Sequence, residues 1–423
     1  MQPYALERQK EIYLNGFAGK MPDVPFSSDG LEEAAKKIIS KKAFAYIAGG
    51  AGEEKTVKQN RTAFDKWQIV PQMLKNVSER DTSVTLLNKK LPSPFLLAPV
   101  GVLSLAHHDA DLAVAKAAAS ENIPYIFSNQ ATVPMEVCAQ AMNNQTKWFQ
   151  LYWSKSRDLV ESFLQRAEKC GCEALVVTLD TTMLGWRPRD LQLAYLPFLE
   201  GKGIAQYTSD PVFTEMLKTY QPQKAERTIN MQTLRGLISM VNHYPGNGFF
   251  KKLKSGFPIK AVQLFTEMYT NPYTTWADLQ FLREHTRLPI FLKGILHAQD
   301  AQRALDYGVD GIIVSNHGGR QVDGAIATLD ALPQIANVVN KKIPVLLDSG
   351  VRSGADVFKA IALGANAVCF GRPYVYALAI QGENGVKQWI KNIKAEFELT
   401  MALSGCAHPS EINIDCMQTV VTQ

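Results

Sequence analysis

Short apolar runs alternate with longer amphipathic segments along most of this chain. Eight of the runs carry aliphatic and aromatic residues at successive positions, which is typical of strands that are buried on both faces. Segments of helical period lie between them, and several begin at Ser or Asp and stop at Gly, as capped helices do. The predicted strands lie at residues 94–100, 124–130, 148–152, 174–180, 289–294, 311–316, 344–350 and 367–372.

Eight strands that alternate with helices match the count of a closed (β/α)8 barrel, the TIM barrel. A doubly wound open sheet would alternate in the same way, but no G-x-G-x-x-G motif follows the first strand. The sequence therefore predicts the α/β class and a (β/α)8 barrel.

Two regions interrupt the alternation. Residues 1–94 precede the first barrel strand and contain a helical segment, "LEEAAKKIISKKAFAYIAGGAG". Residues 185–273 separate the fourth and fifth strands and are far longer than a usual connection. Because this insertion follows the C-terminal end of a strand, we interpret it as a lid over a site; a surface excursion without a role is the alternative. We expect one domain over 1–423, with the barrel at 95–184 and 274–406 and a tail at 407–423.

Composition narrows the class of protein. A hydrophobic content of 46% with 20% charged residues indicates a globular protein with a large core. The net charge of +5 is small, and no block of like charges predicts nucleic acid binding. No run of eighteen apolar residues predicts a membrane span, and neither terminus resembles a targeting signal, so we expect a cytoplasmic protein. The six cysteines are interpreted as free thiols.

Polar and charged residues gather at the predicted strand ends, which is where barrels of this class place their functional groups. A barrel needs only turn residues there, so a Lys, a His, two Asp and two Arg together indicate a site. These strand-end residues are Pro99, Val100, Gly101, Ser128, Gln150, Tyr152, Thr178, Asp180, Lys293, His317, Arg320, Asp348, Gly371 and Arg372.

The last two strands end in a predicted anion site. "DSGVRSG" (348–354) and "FGRP" (370–373) combine glycines, whose backbone N–H groups are accessible, with Arg352 and Arg372. Two guanidinium groups suit a phosphate monoester, and the ligand could be a sugar phosphate or a cofactor. No metal site is expected, because Cys170 and Cys172 lack the spacing of a zinc half-site.

Specific motifs are spread over nearly the whole chain: "SNHGGRQ" (315–321), "LKG" (292–294), "FQLY" (149–152), "TLDT" (178–181) with "GWR" (185–187), "DSGVRSG", "GRP" and "FELTMALSGC" (397–406). Together they resemble the family of FMN-dependent L-2-hydroxy acid oxidases and dehydrogenases, which includes glycolate oxidase, lactate oxidase and lactate monooxygenase. "AYIAGGAGEEKT" and "LDTTMLGWRPRDL" are similar to the lactate 2-monooxygenase branch. The resemblance implies bound FMN, a small L-2-hydroxy acid and O2 as substrates, and a homo-oligomer, a tetramer or larger.

The resemblance also implies roles for individual residues. His317 would take the proton of the α-hydroxyl while hydride leaves Cα for flavin N5, although a carbanion route is an alternative. Asp180 would pair with His317 and stabilise the imidazolium. The substrate carboxylate and hydroxyl would be bound by Arg187, Arg320, Tyr46 and Tyr152.

The cofactor residues are implied in the same way. Lys293 would lie beside flavin N1 and O2, where a cation favours the anionic reduced ring. The ring would also contact Pro99, Val100, Gly101, Ser128, Gln150 and Thr178, and Ser315 is a further expected cofactor contact. The ribityl chain and phosphate would contact Asp348, Gly350, Arg352, Gly371 and Arg372.

Several functional questions stay open at this stage. Lactate oxidation could end in acetate, carbon dioxide and water, or in released keto acid and hydrogen peroxide. A dehydrogenase that passes electrons to a quinone or cytochrome is a further alternative, and so is a flavin- or phosphate-binding barrel without catalysis. Gly101 would leave space near the flavin, and Gln130 stands where related enzymes often carry a bulky side chain against the substrate.

Overall fold

The computed structural model describes residues 4–222 and 230–420. The strands are β1 (Trp67–Ile69), β2 (Val84–Leu86), β3 (Lys89–Leu91), β4 (Phe95–Leu97), β5 (Tyr125–Phe127), β6 (Lys147–Tyr152), β7 (Leu175–Thr178), β8 (Ile290–Ile295), β9 (Gly311–Val314), β10 (Val345–Asp348), β11 (Ala367–Phe370) and β12 (Met417–Thr419). The helices are α1 (Tyr4–Phe17), α2 (Ser28–Ile38), α3 (Lys41–Ala48), α4 (Lys55–Asp65), α5 (Ala110–Ser120), α6 (Met135–Met142), α7 (Arg157–Lys169), α8 (Pro188–Gln192), α9 (Ala205–Thr208), α10 (Pro211–Thr219), α11 (Met231–His243), α12 (Phe249–Ser255), α13 (Phe257–Met268), α14 (Leu279–His285), α15 (Ala298–Asp306), α16 (Thr328–Val339), α17 (Gly354–Ala362) and α18 (Arg372–Leu403).

The predicted barrel is confirmed. Strands β4 to β11 are parallel and close in the order β10-β11-β4-β5-β6-β7-β8-β9. Alternate side chains face the barrel interior, where the rings of Trp148 and Phe291 lie 4.7 Å apart, or the outer helical layer. Leu86 and Leu91 of the β2–β3 hairpin join the interior cluster. Burial on both faces explains why these strands are continuously apolar in sequence.

One predicted element is corrected. The segment from Leu31 to Gly52, expected to be a single helical stretch, contains the end of α2 and all of α3. The chain becomes extended at Ile39 and Ser40, and the Ser40 side chain then accepts a hydrogen bond from the N–H of Ala43. A serine cap satisfies an otherwise unpaired N–H group, so it starts a new helix instead of continuing the old one.

The insertion after β7 folds into helices α8 to α13, and the N-terminal extension supplies α1 to α4 and the strands β1 to β3. All six cysteines are free thiols, as the sequence predicts. Among the described residues, no helix is long and apolar enough to cross a bilayer. The C-terminal tripeptide, which we interpreted as lacking a targeting signal, and residues 223–229 of the insertion lie outside the described residues.

Candidate active site

A cavity of about 1060 Å³, including its open mouth, lies at the C-terminal ends of the barrel strands. The structure brings most of the predicted site residues together in its wall, although they come from the N-terminal extension, the insertion and six of the barrel strands or the loops that follow them. The predicted residues that line it are Tyr46, Pro99, Val100, Gly101, Tyr152, Arg187, Lys293, His317, Arg320, Asp348, Gly350, Arg352, Gly371 and Arg372.

Five predicted residues do not line the cavity but support the wall from behind. The Gln150 amide donates to the Thr178 hydroxyl at 3.1 Å and accepts the Asn129 backbone N–H at 2.9 Å. Ser315 accepts a hydrogen bond from Lys293 at 2.9 Å and donates to Asp348 at 2.6 Å. The five residues are Ser128, Gln150, Thr178, Asp180 and Ser315.

The turn after β9 presents His317 to the cavity. His317, Gly318 and Gly319 all have positive φ, between 58° and 76°, so His317 adopts a backbone conformation that is uncommon for a residue with a side chain. A Cβ at Gly319 would lie 2.7 Å from the backbone N of Val57, and a Cβ at Gly318 would lie 3.0 Å from the Arg372 side chain. Both positions therefore require a residue without a side chain. A strained conformation of this kind persists only where the surroundings hold it.

The imidazole of His317 is held at both nitrogens. Its Nδ1 lies 2.6 Å from Asp180 Oδ1 and 3.2 Å from the hydroxyl of Thr181, while Nε2 lies 3.3 Å from the hydroxyl of Tyr152. When Nδ1–H donates to Asp180, Nε2 is left as the proton acceptor on the cavity side. This arrangement is the geometry of a general base with a carboxylate partner.

Electrostatics set the charge of this pair. Burial alone would raise the pKa of Asp180, but His317, Lys293 and the Thr181 hydroxyl lower it to about 2. Burial lowers the pKa of His317, helped by the positive charges of Lys293 and Arg187 and opposed by Asp180. At neutral pH the pair is therefore a carboxylate beside a neutral imidazole, ready to accept a proton.

Lys293 is a buried cation in the wall, with 3% of its surface exposed. Its Nζ lies 3.1 Å from Asp348 and 4.0 Å from Asp180 Oδ2, which has no hydrogen-bond partner among the described residues. Burial alone would lower the pKa of Lys293, but these two carboxylates raise it above its usual range. The lysine therefore stays charged inside the site.

Gly294 fixes the distance between β8 and Asp180. It sits at an irregularity in the pairing of β8 with β9, has a φ of +111°, and a Cβ there would lie 2.9 Å from the Cβ of Asp180 and 3.0 Å from its backbone N. The absence of a side chain thus lets the Asp180 segment approach the strand that carries Lys293.

Replacing Gly294 with Ala is expected to lower kcat by about tenfold or more, because the new methyl group displaces Asp180 from His317. The strained φ should also cost about 1–3 kcal/mol of stability. Gly308→Ala is the matched control, since Gly308 also has a positive φ, +65°, but open space around its Cβ position. Thermal unfolding and kcat of both variants separate the two effects: equal kcat losses in both would contradict the role of Gly294.

Two arginines form the opposite wall. Arg320 Nη1 donates to the carbonyl oxygens of Tyr46 at 2.6 Å and Gly49 at 2.8 Å, and its guanidinium lies 5.0 Å from the Tyr46 ring centroid. Arg187 donates to the carbonyl of Arg320 at 3.1 Å and to the Gln321 side chain at 3.0 Å. Burial and the neighbouring Arg187 lower the pKa of Arg320 to about 9. Two adjacent cations with unused N–H groups, of which Arg187 is buried and Arg320 partly buried, are suited to bind a carboxylate.

A second pair of arginines marks the other predicted anion site. Arg372 donates to the carbonyls of Ile47, Gly49 and Gly318 at 2.9–3.1 Å. Burial and the charge of Arg372 lower the pKa of Arg352 to about 10. A Cβ at Gly371 would meet only Val100 within 4 Å, so this wall leaves room for a ligand.

These donors fit FMN. Arg352 and Arg372 would hold its phosphate, because two neighbouring, partly buried cations favour a bound anion. Lys293, a buried cation in the same wall, would stabilise the negative charge of the reduced ring.

Sequence reasoning missed several residues of the wall. Thr181 contacts both Asp180 and His317, and its place beside Asp180 in sequence could have indicated it. Phe198 and Tyr269 come from the insertion and line the cavity with rings 5.8 Å apart. No local pattern marks Tyr269, because only the folding of α13 brings it back over the barrel.

Comparisons with known proteins agree with this geometry. Residues 35–419 match the family model described as FMN-dependent dehydrogenase. The chain is 40% identical over 413 residues to the FMN-dependent alpha-hydroxy acid dehydrogenase qulF of Penicillium citrinum, which covers 97% of this chain and 95% of the relative. It is 41% identical over 395 residues to an L-lactate oxidase of Lysinibacillus sphaericus (strain C3-41), with 93% of each chain covered.

A crystal structure of mandelate oxidase with (S)-4-hydroxymandelic acid is similar to this structure, with a TM-score of 0.77 and 32% sequence identity. The similarity covers 94% of this chain and 100% of the other. The chain therefore belongs to the FMN-dependent dehydrogenase family, and FMN is its cofactor.

Proposed function

We propose that this protein oxidises a small L-2-hydroxy acid, with L-lactate as the expected substrate and O2 as the expected final acceptor. The observation that carries the proposal is the 2.6 Å contact between His317 and Asp180, in which His317 lines one cavity together with the buried Arg187 and the partly buried Arg320. A base and a carboxylate clamp are the two functions that oxidation of a 2-hydroxy acid requires from the protein. The 2-hydroxy acid named for the qulF relative supports this substrate class.

In the proposed reaction, the guanidinium groups of Arg187 and Arg320 bind the substrate carboxylate and orient the adjacent carbon. Nε2 of His317 accepts the proton of the α-hydroxyl, and Asp180 stabilises the imidazolium that results. Tyr152 and Tyr46 supply phenolic hydroxyls for the substrate's hydroxyl and carboxylate. When bound, FMN supplies the acceptor for the hydride that leaves the substrate carbon.

The fate of the keto acid depends on the insertion. We propose that the insertion, which contributes Arg187, Phe198 and Tyr269 to the cavity wall, retains the keto acid so that peroxide decarboxylates it. Lactate would then give acetate, carbon dioxide and water, the lactate 2-monooxygenase reaction. The space beside Gly101 adds no support, because a Cβ there would lie 3.1 Å from Gln130, which already fills it.

Release of the keto acid with hydrogen peroxide is the second candidate. The L-lactate oxidase that is 41% identical to this chain over 395 residues favours it.

The product test is to mix the FMN-loaded protein with L-lactate in air and to measure acetate, pyruvate and peroxide. Acetate with little peroxide would support the monooxygenase. Stoichiometric pyruvate and peroxide would establish the oxidase, and slow reoxidation by air would indicate a dehydrogenase. Flavin that no 2-hydroxy acid reduces under anaerobic conditions would refute the proposed function.

The pH dependence should report on the base. Neutral His317 is the reactive form and its pKa is lowered from 6.5, so kcat/KM is expected to rise through an apparent pKa below 6.5 and to level off above it. Asp180 raises the pKa of His317, so Asp180→Asn should shift this limb to still lower pH. Anaerobic flavin reduction measured from pH 4.5 to 8 checks both statements, and an apparent pKa above 7 would contradict the first.

A further inference from the structure

Two of the six free thiols, those of Cys406 and Cys416, lie together beneath the C-terminal tail. Cys406 follows the end of α18, and Cys416 immediately precedes β12. Both residues are buried, with 4% and 5% of their surfaces exposed, and both belong to one hydrophobic cluster. The Cys406 thiol is hydrogen-bonded to the Cys416 thiol. The proposed reaction uses neither residue, so the pair has no role in it.

Backbone hydrogen bonds fix the two chain segments that carry these thiols. The N–H of Val70, just after β1, donates to the carbonyl of Cys416 at 2.9 Å. The N–H of Gln72 donates to the carbonyl of Ser404, two residues before Cys406, at 3.2 Å. The same short segment therefore holds both sides of the thiol pair, and the sulfur atoms stay neighbours unless the tail opens.

The loop between the two cysteines covers the pair. Most of residues 410–415 are exposed, and the loop forms only two single turns of 3-10 helix. Glu411 holds the loop in place, because its carboxylate accepts the N–H of Ala407 at 2.7 Å and its carbonyl accepts the Cys416 thiol at 3.8 Å. An exposed loop with few buried apolar contacts opens more readily than a packed barrel, so a small uncharged oxidant would gain access to the thiols.

Burial and contact determine how this pair reacts. Burial and the neighbouring Cys416 raise the pKa of the Cys406 thiol to about 12. The thiolate is the reactive form, so the first oxidation is expected to be slow. Once one thiol is oxidised, its partner is already in contact, and the second step is intramolecular. The pair is therefore suited to end as a disulfide and not as a single over-oxidised cysteine.

We propose that Cys406 and Cys416 are a site of reversible oxidation by hydrogen peroxide, which joins them in a disulfide and fastens the tail to the end of α18. One thiolate attacks a peroxide oxygen and the O–O bond breaks, which leaves a sulfenic acid and a hydroxide that takes up the thiol proton. The second thiol attacks the sulfenic sulfur, and the hydroxyl leaves as water. Two thiols and one hydrogen peroxide thus give one disulfide and two molecules of water. The inference goes beyond the proposed function, and the oxidase reaction would itself supply the peroxide.

Peptide mapping tests the site directly, because residues 395–423 contain no Lys or Arg and carry Cys406 and Cys416 as their only cysteines. The folded, FMN-loaded protein is treated with excess hydrogen peroxide, quenched with catalase, alkylated and digested with trypsin. We expect this peptide to resist alkylation, to be lighter by two hydrogen atoms, about 2 Da, and to alkylate at both cysteines after treatment with dithiothreitol. The midpoint of thermal unfolding should rise by about 2–5 °C, since a cross-link restricts the unfolded chain.

Two variants complete the test. Cys416→Ser lacks the partner thiol and should show neither the loss of mass nor the rise in midpoint. Cys170→Ser is the matched control, because Cys170 is the one cysteine that is not buried and it lies outside the pair, so this variant should form the bond as the wild type does.

The proposal is overturned if the wild-type peptide remains fully alkylated after exhaustive treatment, or if Cys406 gains oxygen without formation of the bond. An unchanged midpoint in protein that carries the bond would overturn the fastening of the tail. If Cys416→Ser does not fold, the wild-type map and Cys416→Ala give the same decision. Because the peroxide is added, failure of the proposed function leaves this result unaffected.

Discussion

Replacing His317 with Asn is expected to slow flavin reduction by L-2-hydroxy acids about a thousandfold, while the protein keeps its fold and its FMN. A positioned general base contributes about a hundredfold to ten-thousandfold, and Nε2 of His317 is the acceptor that Asp180 orients at 2.6 Å through Nδ1. Asn is the appropriate replacement because His317 has a φ of +58°, and Asn tolerates that region better than most residues. Stopped-flow reduction under anaerobic conditions, with FMN content and thermal unfolding measured in parallel, gives the result.

Thr181→Val provides the control for this experiment. It removes the hydroxyl that lies 3.2 Å from His317 Nδ1 but leaves the carboxylate bond intact, so its reduction rate should stay within about tenfold of the wild-type value. Added imidazole should restore part of the activity of His317→Asn if the only loss is that of the proton acceptor. A variant that retains more than a tenth of the wild-type rate would place the base on another residue.

The barrel can be predicted from the sequence because its strands are apolar at successive positions and its helices carry cap signals. All eight predicted strands are present, but several end earlier than expected. The run predicted at 311–316 ends as a strand at Val314, because Ser315 and Asn316 turn their side chains to other partners. Ser315 bonds Lys293, and the Asn316 amide exchanges hydrogen bonds with Asn60. Residues with a predicted role at the end of a strand no longer pair with the neighbouring strand. The apolar pattern in the sequence therefore overestimates the length of the strand.

The sequence indicates most directly the site residues that follow a strand, such as Asp180 and His317. Tyr46 and Arg187, in the extension and the insertion, are indicated only by the resemblance of their motifs to the family. Tyr269 is different, because it lies 82 residues after Arg187 in sequence and reaches the cavity through the fold of the insertion.

The N-terminal extension is part of the site in a way that its sequence does not indicate. Carbonyl groups at the C-terminal end of α3 accept hydrogen bonds from both Arg320 and Arg372. The carbonyl end of a helix carries partial negative charge, which stabilises nearby cations. The end of α3 thus positions both Arg320, which is expected to bind the substrate carboxylate, and Arg372, which is expected to bind the cofactor phosphate. The substrate site and the cofactor site are therefore held by the same helix terminus.

Replacing Arg187 with Met is expected to lower kcat/KM for L-lactate by about a hundredfold to a thousandfold, chiefly through KM. Arg187 is 6% exposed and is fixed by the carbonyl of Arg320 and by Gln321, so a substrate carboxylate would meet a preset donor. Loss of one partner of a buried charged pair costs about 2–5 kcal/mol, and about 1.4 kcal/mol corresponds to a factor of ten. Steady-state kinetics with the FMN-loaded variant measures the effect.

Two comparisons decide whether that loss comes from the substrate's charge. Arg189→Met removes an equal charge two residues away, where Arg189 pairs with Glu54 at 2.5 Å outside the cavity wall, and should change kcat/KM less than threefold. Methyl lactate lacks the negative charge, so Arg187→Met should cost far less for the ester than for the acid. Equal losses for both substrates would mean that Arg187 supports the wall around Arg320 and Gln321 without binding the carboxylate, and the clamp would then consist of Arg320 alone.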